Sequence, residues 1–319
     1  MTSARNHQLF FNQPTFYHLT SRCVRRAFLC GKDKFTGKCY DHRKTWLERR
    51  LFELSKWFYI DFYGYAILSN HYHLIVQTRP DLILKARDEQ IALRWCRVFP
   101  QRDADEDQRV QALCQNKAKL NILRQRLGDI SWLMRCLNEG LARAANKEDR
   151  CNGRFWQGRF HSQVLLDEAA VVTCMAYVDL NPMRAGIATT PESSEFTSIH
   201  YRIYNHVLSE PVRPLNPSRK TASSLFLNLK FSEYQVLVEQ TGKLLSMDQP
   251  KANSGQIAPI LERLNIRESA YSTAMTKLSG LFFRAIGNTR QLEKFSDILC
   301  QNWVKGRRSA AILFRETHY

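Results

Sequence analysis

The stretch Ala66-Ile-Leu-Ser-Asn-His-Tyr-His-Leu-Ile-Val76 carries the strongest structural signal in this sequence. Residues typical of strands run from Phe62 to Leu68 and again from His71 to Thr78. Ser69-Asn70, between these two runs, is a two-residue turn of the hairpin type. The sequence therefore predicts an antiparallel β-hairpin over residues 62–78.

The second strand of this hairpin carries two histidines, His71 and His73. Residues i and i+2 of a strand point to the same face, so the two imidazoles project side by side and could bind one metal ion. Tyr72, Leu74 and Val76 then point the other way, into a core. Two unrelated histidines on a half-exposed strand would give the same pattern, so the pair alone leaves both interpretations open.

The regions on either side of the hairpin alternate between strand and helix patterns. The chain predicts strands at residues 15–22 and 154–166, and helices at residues 43–58, 82–96, 110–126, 130–145 and 168–180. Asp41 and Asp167 are positioned to cap the helices that follow them. This mixture predicts an α+β domain with a helical insertion over residues 81–150.

The last third of the chain has a different pattern. Four prolines between residues 189 and 220 predict a linker, and residues 221–319 predict an all-helical C-terminal domain. Its cations could form an accessory DNA contact or simply a solvated helix surface. They are Lys277, Arg284, Arg290, Lys294, Lys305, Arg307 and Arg308.

The composition favours a polyanionic partner. The chain has 319 residues, with 47 Lys and Arg against 30 Asp and Glu, which gives a net charge of +17. An excess of this size favours nucleic acid or an anionic membrane surface. No apolar stretch is long enough for a transmembrane helix, and the first residues lack the apolar core of a secretory signal. We therefore expect a cytoplasmic protein that is not bound to a membrane.

Several common site types are not indicated. The nine cysteines form no C-x-x-C pair, which argues against a zinc ribbon and a thioredoxin-type site and favours reduced thiols. There is no P-loop, no dinucleotide-binding fingerprint, and no G-x-S-x-G or H-E-x-x-H motif. Hydrolysis of nucleoside triphosphates is therefore not expected.

A second feature that could carry chemistry lies on the helix after Asp167. Tyr177 and Asn181 are four residues apart and share a helix face. A tyrosine phenol can attack phosphorus when its deprotonation is assisted and a cation neutralises the phosphate. A carboxamide oxygen suits a hard cation such as Mg²⁺ or Mn²⁺. A core tyrosine followed by a helix-terminal asparagine before Pro182 would fit the same residues.

A third feature alternates cations with rings over Arg154-Phe-Trp-Gln-Gly-Arg-Phe-His161. Trp156 could stack on unpaired bases while Arg154 and Arg159 hold phosphates. Trp156 and Phe160 share one face of the predicted strand, so part of this set could equally be core packing. Four more arginines are expected to contact phosphates: Arg22, Arg25, Arg26 and Arg184.

In their order along the chain, these segments resemble the single-tyrosine HUH transposases, and most closely the REP-associated tyrosine transposases. The segments that carry the resemblance are Phe16-Tyr-His-Leu-Thr-Ser-Arg-Cys23, Ala66-Ile-Leu-Ser-Asn-His-Tyr-His-Leu-Ile-Val76, Gly153-Arg-Phe-Trp-Gln-Gly-Arg-Phe160 and Tyr177-Val-Asp-Leu-Asn-Pro-Met-Arg-Ala-Gly186. They lie within residues 15–187, a little over half of the chain. The combination of a histidine pair on a strand with a distant Tyr-x-x-x-Asn-Pro helix is specific.

The resemblance implies a ferredoxin-like, RRM-like antiparallel sheet with packed helices, in a catalytic domain over residues 1–188. It implies that His71 and His73 bind a divalent metal, Mg²⁺ or Mn²⁺, with Asn181 as a third ligand and Tyr177 as the nucleophile. The implied activity is cleavage and rejoining of single-stranded DNA beside a hairpin, through a 5′-phosphotyrosine and a free 3′-hydroxyl. A nucleoid-associated monomer or homodimer would fit this activity.

Two other functions stay open at this point. A non-catalytic nucleic-acid-binding regulator could use the same fold, although it would need neither the histidine pair nor Tyr177. A relaxase or a replication-initiation nickase would share the chemistry, although the Tyr-x-x-x-Asn-Pro helix is less typical of those enzymes. Dependence on a metal would separate an enzyme from a regulator.

Overall fold

A single sheet carries the fold. The computed structural model describes residues 13–24, 30–32, 37–205, 212–215, 227–245 and 254–316. The strands are β1 (Thr15–Arg22), β2 (Ile60–Ile67), β3 (His71–Thr78), β4 (His161–Leu165) and β5 (Ala285–Ile286). Their order is β2-β3-β1-β4-β5, with β4 and β5 parallel and the other pairs antiparallel. The first four strands have the order of a ferredoxin-like unit, so the predicted α+β fold class is confirmed.

Helices pack on both faces of this sheet. Those before β4 are α1 (His42–Trp57), α2 (Pro80–Lys85), α3 (Asp88–Val98), α4 (Glu106–Gln115), α5 (Lys117–Gly128) and α6 (Ile130–Glu148). Those after β4 are α7 (Glu168–Asp179), α8 (Asn181–Arg184), α9 (Ser198–Tyr204), α10 (Phe231–Leu245), α11 (Ser254–Arg263), α12 (Glu268–Leu281), α13 (Thr289–Ile298) and α14 (Arg307–Leu313). Within the described ranges, no helix is both long and apolar enough to cross a membrane.

The N-termini of α1 and α7 differ in how they are capped. Asp41 precedes α1 but does not cap it as predicted, because its own backbone is helical (φ −62°, ψ −27°) and its carboxylate pairs with Lys44 Nζ at 2.9 Å. Asp167 does cap α7, since its carboxylate accepts a hydrogen bond from Ala170 N at 2.8 Å. The predicted cap at Asp167 is therefore confirmed, and the predicted cap at Asp41 is wrong.

One face of the sheet is covered by α1 and α6. The apolar stripe of α1 is buried, as its helical spacing predicts: Leu47, Leu51 and Leu54. The Tyr72 hydroxyl of β3 donates to Asn138 Oδ1 of α6 at 2.6 Å. Asn138 Nδ2 in turn donates to Ser21 Oγ of β1 at 3.0 Å. Helix α6, although it falls in the predicted insertion, is therefore fixed directly to the sheet.

Helix α7 crosses the opposite face and is enclosed on all sides. Every residue from Ala170 to Asp179 is buried, as expected for a helix that is apolar around its whole circumference. Strands β2, β3 and β4 cover one side of α7, and α10 and α12 pack against it as well. The C-terminal segment therefore completes the burial of the helix that carries Tyr177.

Three strands differ from the predictions, and the first of them, β2, begins at Ile60 rather than at Phe62. Strand β5 lies in the region predicted to be helical throughout, and its two residues pair with Val164 and Leu165 along the outer edge of β4. A strand this short gives no alternating pattern to detect. Strand β4 begins at His161 rather than at residue 154, because residues 153–160 form a loop, whose Trp156 makes an isolated bridge with Cys23, the residue after β1.

Asp179, at the end of α7, joins three elements. Its carboxylate accepts hydrogen bonds from Ser198 Oγ at 2.5 Å and from the backbone N–H of Ile199 at 3.0 Å, both in α9. It also accepts one from the Tyr234 hydroxyl of α10 at 2.5 Å. These bonds tie the end of the Tyr177 helix to its neighbours.

Replacement of Tyr234 with phenylalanine is expected to lower the free energy of unfolding by about 1–3 kcal/mol, because a buried hydrogen bond to a charged group is lost. Urea denaturation measures this change. The matched control is Tyr204→Phe, at an exposed tyrosine of α9, for which a change below about 0.5 kcal/mol is expected. Equal stability of the two variants would contradict the role given to the Tyr234 hydroxyl.

Candidate active site

The strand register brings polar side chains together on the face that α7 covers. Residues directly opposite each other in antiparallel strands point to the same face. Three such pairs reach this face: Thr20 with His73, Arg22 with His71, and His18 with Gln163. The two predicted metal ligands therefore lie in a polar cluster contributed by three strands.

A chain of hydrogen bonds orients His73. Gln163 Oε1 accepts from His18 Nδ1, with 2.9 Å between the two atoms. His18 Nε2 is then unprotonated and accepts from His73 Nδ1 at 2.8 Å. The Thr20 hydroxyl oxygen lies 3.1 Å from the same His73 nitrogen. His73 Nε2 consequently carries a lone pair and no proton.

That His73 nitrogen is the most distinctive atom of the site. It is buried, and the described part of the chain offers it no hydrogen-bond partner. A buried polar atom left unpaired costs free energy, so it calls for an explanation. Burial, together with the neighbouring His18 and His71, lowers the pKa of His73 well below its usual value. A neutral imidazole with a fixed tautomer and a free lone pair is the form that ligates metals.

His71 supplies the second imidazole. Its ring centroid lies 4.9 Å from that of His73. Its Nδ1 donates to Asn70 Oδ1 at 2.6 Å, which leaves Nε2 unprotonated. Burial lowers the pKa of His71 to about 4, and the charge of Arg22 adds to this effect. Both imidazoles are therefore neutral at physiological pH.

Tyr177 of α7 contacts this cluster. Its ring meets that of His73 edge to face, with 6.1 Å between centroids and an angle of 88°. The guanidinium carbon of Arg184 lies 4.4 Å from the centre of the Tyr177 ring. Arg184 Nη2 donates to the carbonyl of Thr276 at 2.8 Å, whereas its buried Nη1 finds no partner among the described residues. The phenol therefore lies beside both an imidazole and an unused cationic donor.

Asn181 follows the end of α7. Its Nδ2 donates to the carbonyls of Tyr177 and Val178 at 3.0 and 3.4 Å. These bonds use the amide nitrogen, so the carboxamide oxygen is the group left to bind a cation or a substrate. The side chain is buried, which restricts its orientation.

The two imidazoles could hold a divalent cation only together with oxygen ligands from elsewhere. No group of three or more His, Cys, Asp or Glu side chains in the described residues is arranged to hold a metal ion. His18 is a third histidine of the cluster, but its Nε2 is bonded to His73. His71 and His73 keep a free ring nitrogen each, and a divalent cation held by them would take its remaining ligands from oxygens, of which that of Asn181 is a candidate.

Three of the predicted phosphate-binding arginines lie near one end of the sheet. Arg22, at the end of β1, is exposed and stands opposite His71. The backbone carbonyl of Arg22 accepts from Gln157 N at 2.8 Å, which holds the loop of Arg154 and Arg159 beside it. Both of those arginines are exposed. Arg25 and Arg26 lie outside the described residues.

Trp156 has packing contacts in the structure. Its indole Nε1 donates to the carbonyl of Asn138 at 2.9 Å, and its ring meets that of Tyr72 at 5.7 Å between centroids. The side chain is half-buried. These contacts show Trp156 in the packing role that the sequence left open. Its stacking on a base stays a prediction.

The sequence interpretation missed His18, Thr20 and Gln163. The alternation of His18 and Thr20 on β1 is visible in the sequence and indicates a shared face. Their contact with His73 and Gln163 depends on the register between strands that are far apart in the chain, and one sequence does not give that register.

Removal of the His18 imidazole is expected to weaken metal binding. His18→Leu removes the ring acceptor of His73 Nδ1 and leaves it only the Thr20 hydroxyl oxygen at 3.1 Å. Loss of such an orienting partner typically weakens metal affinity about 10- to 100-fold. His18→Gln, which retains an acceptor oxygen, is expected to lose less. Titration with Mn²⁺, followed by electron paramagnetic resonance, measures both affinities. Unchanged Mn²⁺ affinity in His18→Leu would show that the His18–His73 bond does not serve a metal site.

Comparison with known proteins gives a structural similarity at low identity. A solved structure of a REP-associated tyrosine transposase bound to a REP hairpin aligns with a TM-score of 0.39 and 12% identity. The alignment covers 70% of this chain and 96% of that chain. No protein-family model matches this chain, and no curated protein sequence matches it. A similarity at this level does not establish a shared activity.

Proposed function

We propose that this protein is a metal-dependent, single-tyrosine DNA transposase or nickase that cleaves and rejoins structured single-stranded DNA. The observation that carries the proposal is the contact of Tyr177 with His73, whose buried Nε2 has no partner in the described residues. A purely structural histidine would be expected to use both ring nitrogens when buried. A phenol beside such a histidine and beside Arg184 is instead suited to phosphoryl transfer.

Tyr177 would act as the nucleophile. Its Oη forms a bond to phosphorus while the phenol loses its proton, and the bond from phosphorus to the 3′-oxygen breaks. The products are a 5′-phosphotyrosine and a 3′-hydroxyl, which takes up a proton as it leaves. Attack of another 3′-hydroxyl on the phosphotyrosine reverses the reaction and rejoins the strands without an external energy source.

Other residues of the cluster would assist this transfer. Arg184 Nη1 would donate to an oxygen of the scissile phosphate and offset the negative charge that develops. His71, His73 and Asn181 would hold a divalent cation, which supplies Lewis-acid activation of the phosphate when bound. His18 and Gln163 would keep His73 in the tautomer that binds a metal.

The DNA would reach the site along exposed cations. Arg22, Arg154 and Arg159 lie at the end of the sheet that carries His71, and the net charge of +17 supports a nucleic-acid partner. We assign catalysis to residues 1–188, with the C-terminal segment covering the Tyr177 helix. The sequence motifs make hairpin-bearing DNA, acted on in the cytoplasm at the nucleoid, the first substrate to test.

The test is incubation of the full chain with hairpin-bearing single-stranded DNA from beside its own gene, in Mg²⁺ or Mn²⁺. The expected result is a protein–DNA adduct that survives denaturation, together with a shorter strand that ends in a 3′-hydroxyl. Chelation with EDTA should remove both products but leave DNA binding intact. DNA binding without any adduct, with either metal, would contradict the proposal and favour a non-catalytic regulator.

A further inference from the structure

An open groove lies between the end of α12 and the start of α14, far along the chain from Tyr177. It encloses about 390 Å³, and the residues relevant here are Leu281, Trp303, Lys305, Gly306, Arg307 and Arg308. Trp303 is 66% exposed, which is unusual for so large an apolar side chain. The groove, named here the α12–α14 groove, thus combines one exposed aromatic ring with three cations.

Most of these groups are not engaged elsewhere. Within the described ranges, Trp303 makes no hydrogen bond or ring contact, and Lys305 and Arg308 form no ion pair. Arg307 differs, since it pairs with Glu293 of α13. An exposed ring and two unpaired cations around one depression are the arrangement by which proteins bind unpaired nucleotides, through stacking on bases and contacts with phosphates.

The backbone of the groove is held in place by packing. Gly306 has φ +121°, a conformation that side chains with a Cβ rarely adopt. A Cβ on Gly306 would lie 2.4 Å from Cδ1 of the buried Phe282, so the turn closes directly on that ring. The turn at Gly306 is therefore fixed by packing, and a ligand would not have to order this part of the backbone.

The groove is connected to the candidate active site through neighbouring residues. Phe283 follows the buried Phe282 and is 52% exposed. Its ring lies 5.4 Å from that of His161, the first residue of β4. His161 stands opposite Thr20 in the sheet, and the Thr20 hydroxyl lies 3.1 Å from His73 Nδ1. An exposed ring, next in the chain to the Phe282 on which Gly306 packs, therefore contacts β4 beside the histidine cluster.

We infer that the α12–α14 groove binds unpaired nucleotides of the same DNA strand that is cleaved at Tyr177. Bases stack on Trp303 and on Phe283, and Lys305 and Arg308 contact phosphates. That the bound DNA strand continues to Tyr177 rests on the proposed function. Binding of DNA in the groove does not require cleavage. The unpaired positive charge favours a nucleic acid over an apolar protein segment as the occupant.

The test compares variants of the full chain for binding to a fluorescent 30-nucleotide single strand, by anisotropy over a range of salt concentrations. Trp303→Ala combined with Lys305→Ala should weaken binding by about tenfold or more, since base stacking on a ring contributes substantially. The slope of log binding constant against log salt concentration should become shallower by about 0.7, because one phosphate contact is lost. Trp303→Phe alone, which retains a ring, should stay within about threefold of the wild type.

The matched control is Leu84→Ala combined with Lys85→Ala, which removes an exposed apolar side chain and an exposed cation at the end of α2. Circular dichroism verifies that all variants are folded. Equal affinity of the groove variant and this control would overturn the inference, whether or not adducts form. A selective loss of affinity in the groove variant, with no adduct from wild-type protein, would support the groove and reject the proposed function instead.

Discussion

Replacement of Tyr177 with phenylalanine is expected to abolish the covalent adduct with hairpin-bearing DNA, with a loss in rate of at least about 1000-fold. Phenylalanine lacks the Oη atom that would bond to phosphorus, yet it keeps the ring that packs on His73 and under Arg184. DNA binding should therefore stay within about twofold of the wild type. Denaturing gels measure the adduct, and anisotropy measures the binding.

Tyr204→Phe is the matched control for this substitution, because Tyr204 is an exposed tyrosine outside the cluster. It should form the adduct at the wild-type rate. An adduct that persists in Tyr177→Phe would identify another nucleophile and reject the assignment of Tyr177.

Replacement of His73 with alanine is expected to remove specific Mn²⁺ binding and to slow adduct formation by at least about 100-fold. The substitution deletes both the unpartnered Nε2 and the nitrogen that bonds to His18. DNA affinity, which depends mainly on the cations of the surface, should change by less than about threefold. Electron paramagnetic resonance of Mn²⁺ and a time course of the adduct measure the two losses.

Two further variants distinguish the loss of a metal site from a simple folding defect. His71→Gln, at the partly exposed end of β3, should show the same loss of Mn²⁺ binding with little effect on stability. His42→Ala, at a partly exposed histidine that pairs with Glu148, should bind Mn²⁺ normally. Wild-type Mn²⁺ affinity in both His71→Gln and His73→Ala would contradict a metal site at this pair.

The local parts of the fold could be predicted from the sequence. Strands 15–22 and 71–78 have the predicted bounds, because alternation and turn residues are local signals. The predicted helix over residues 82–96 is instead divided between α2 and α3, since Ala86 and Arg87 are extended (ψ 131° and 156°). Neither glycine nor proline marks this break, so composition gives no indication of it.

The role of the C-terminal segment depended on tertiary packing. The sequence predicts an all-helical C-terminal domain, and α10 and α12 of this segment pack directly on α7. A signal was present, because α7 is apolar around its whole circumference and one sheet covers only one side of a helix. The sequence did not identify which helices would cover the other side.

The candidate site likewise has one part that the sequence predicts and another that depends on tertiary contacts. The shared face of His71 and His73 follows from the period of a strand, and the structure has it. The contact of His73 with Tyr177, and its hydrogen bond to His18, join segments whose relative position is set by strand register and helix packing. Such contacts cannot be read from the spacing of one sequence.

The most direct test of the account is identification of the residue that carries DNA after the reaction, by digestion of the adduct and tandem mass spectrometry. We expect a nucleotide attached to Tyr177 in the wild-type protein incubated with Mg²⁺ or Mn²⁺. Attachment to any other residue would contradict it, because the phenol beside His73 would then not be the group that attacks the phosphodiester.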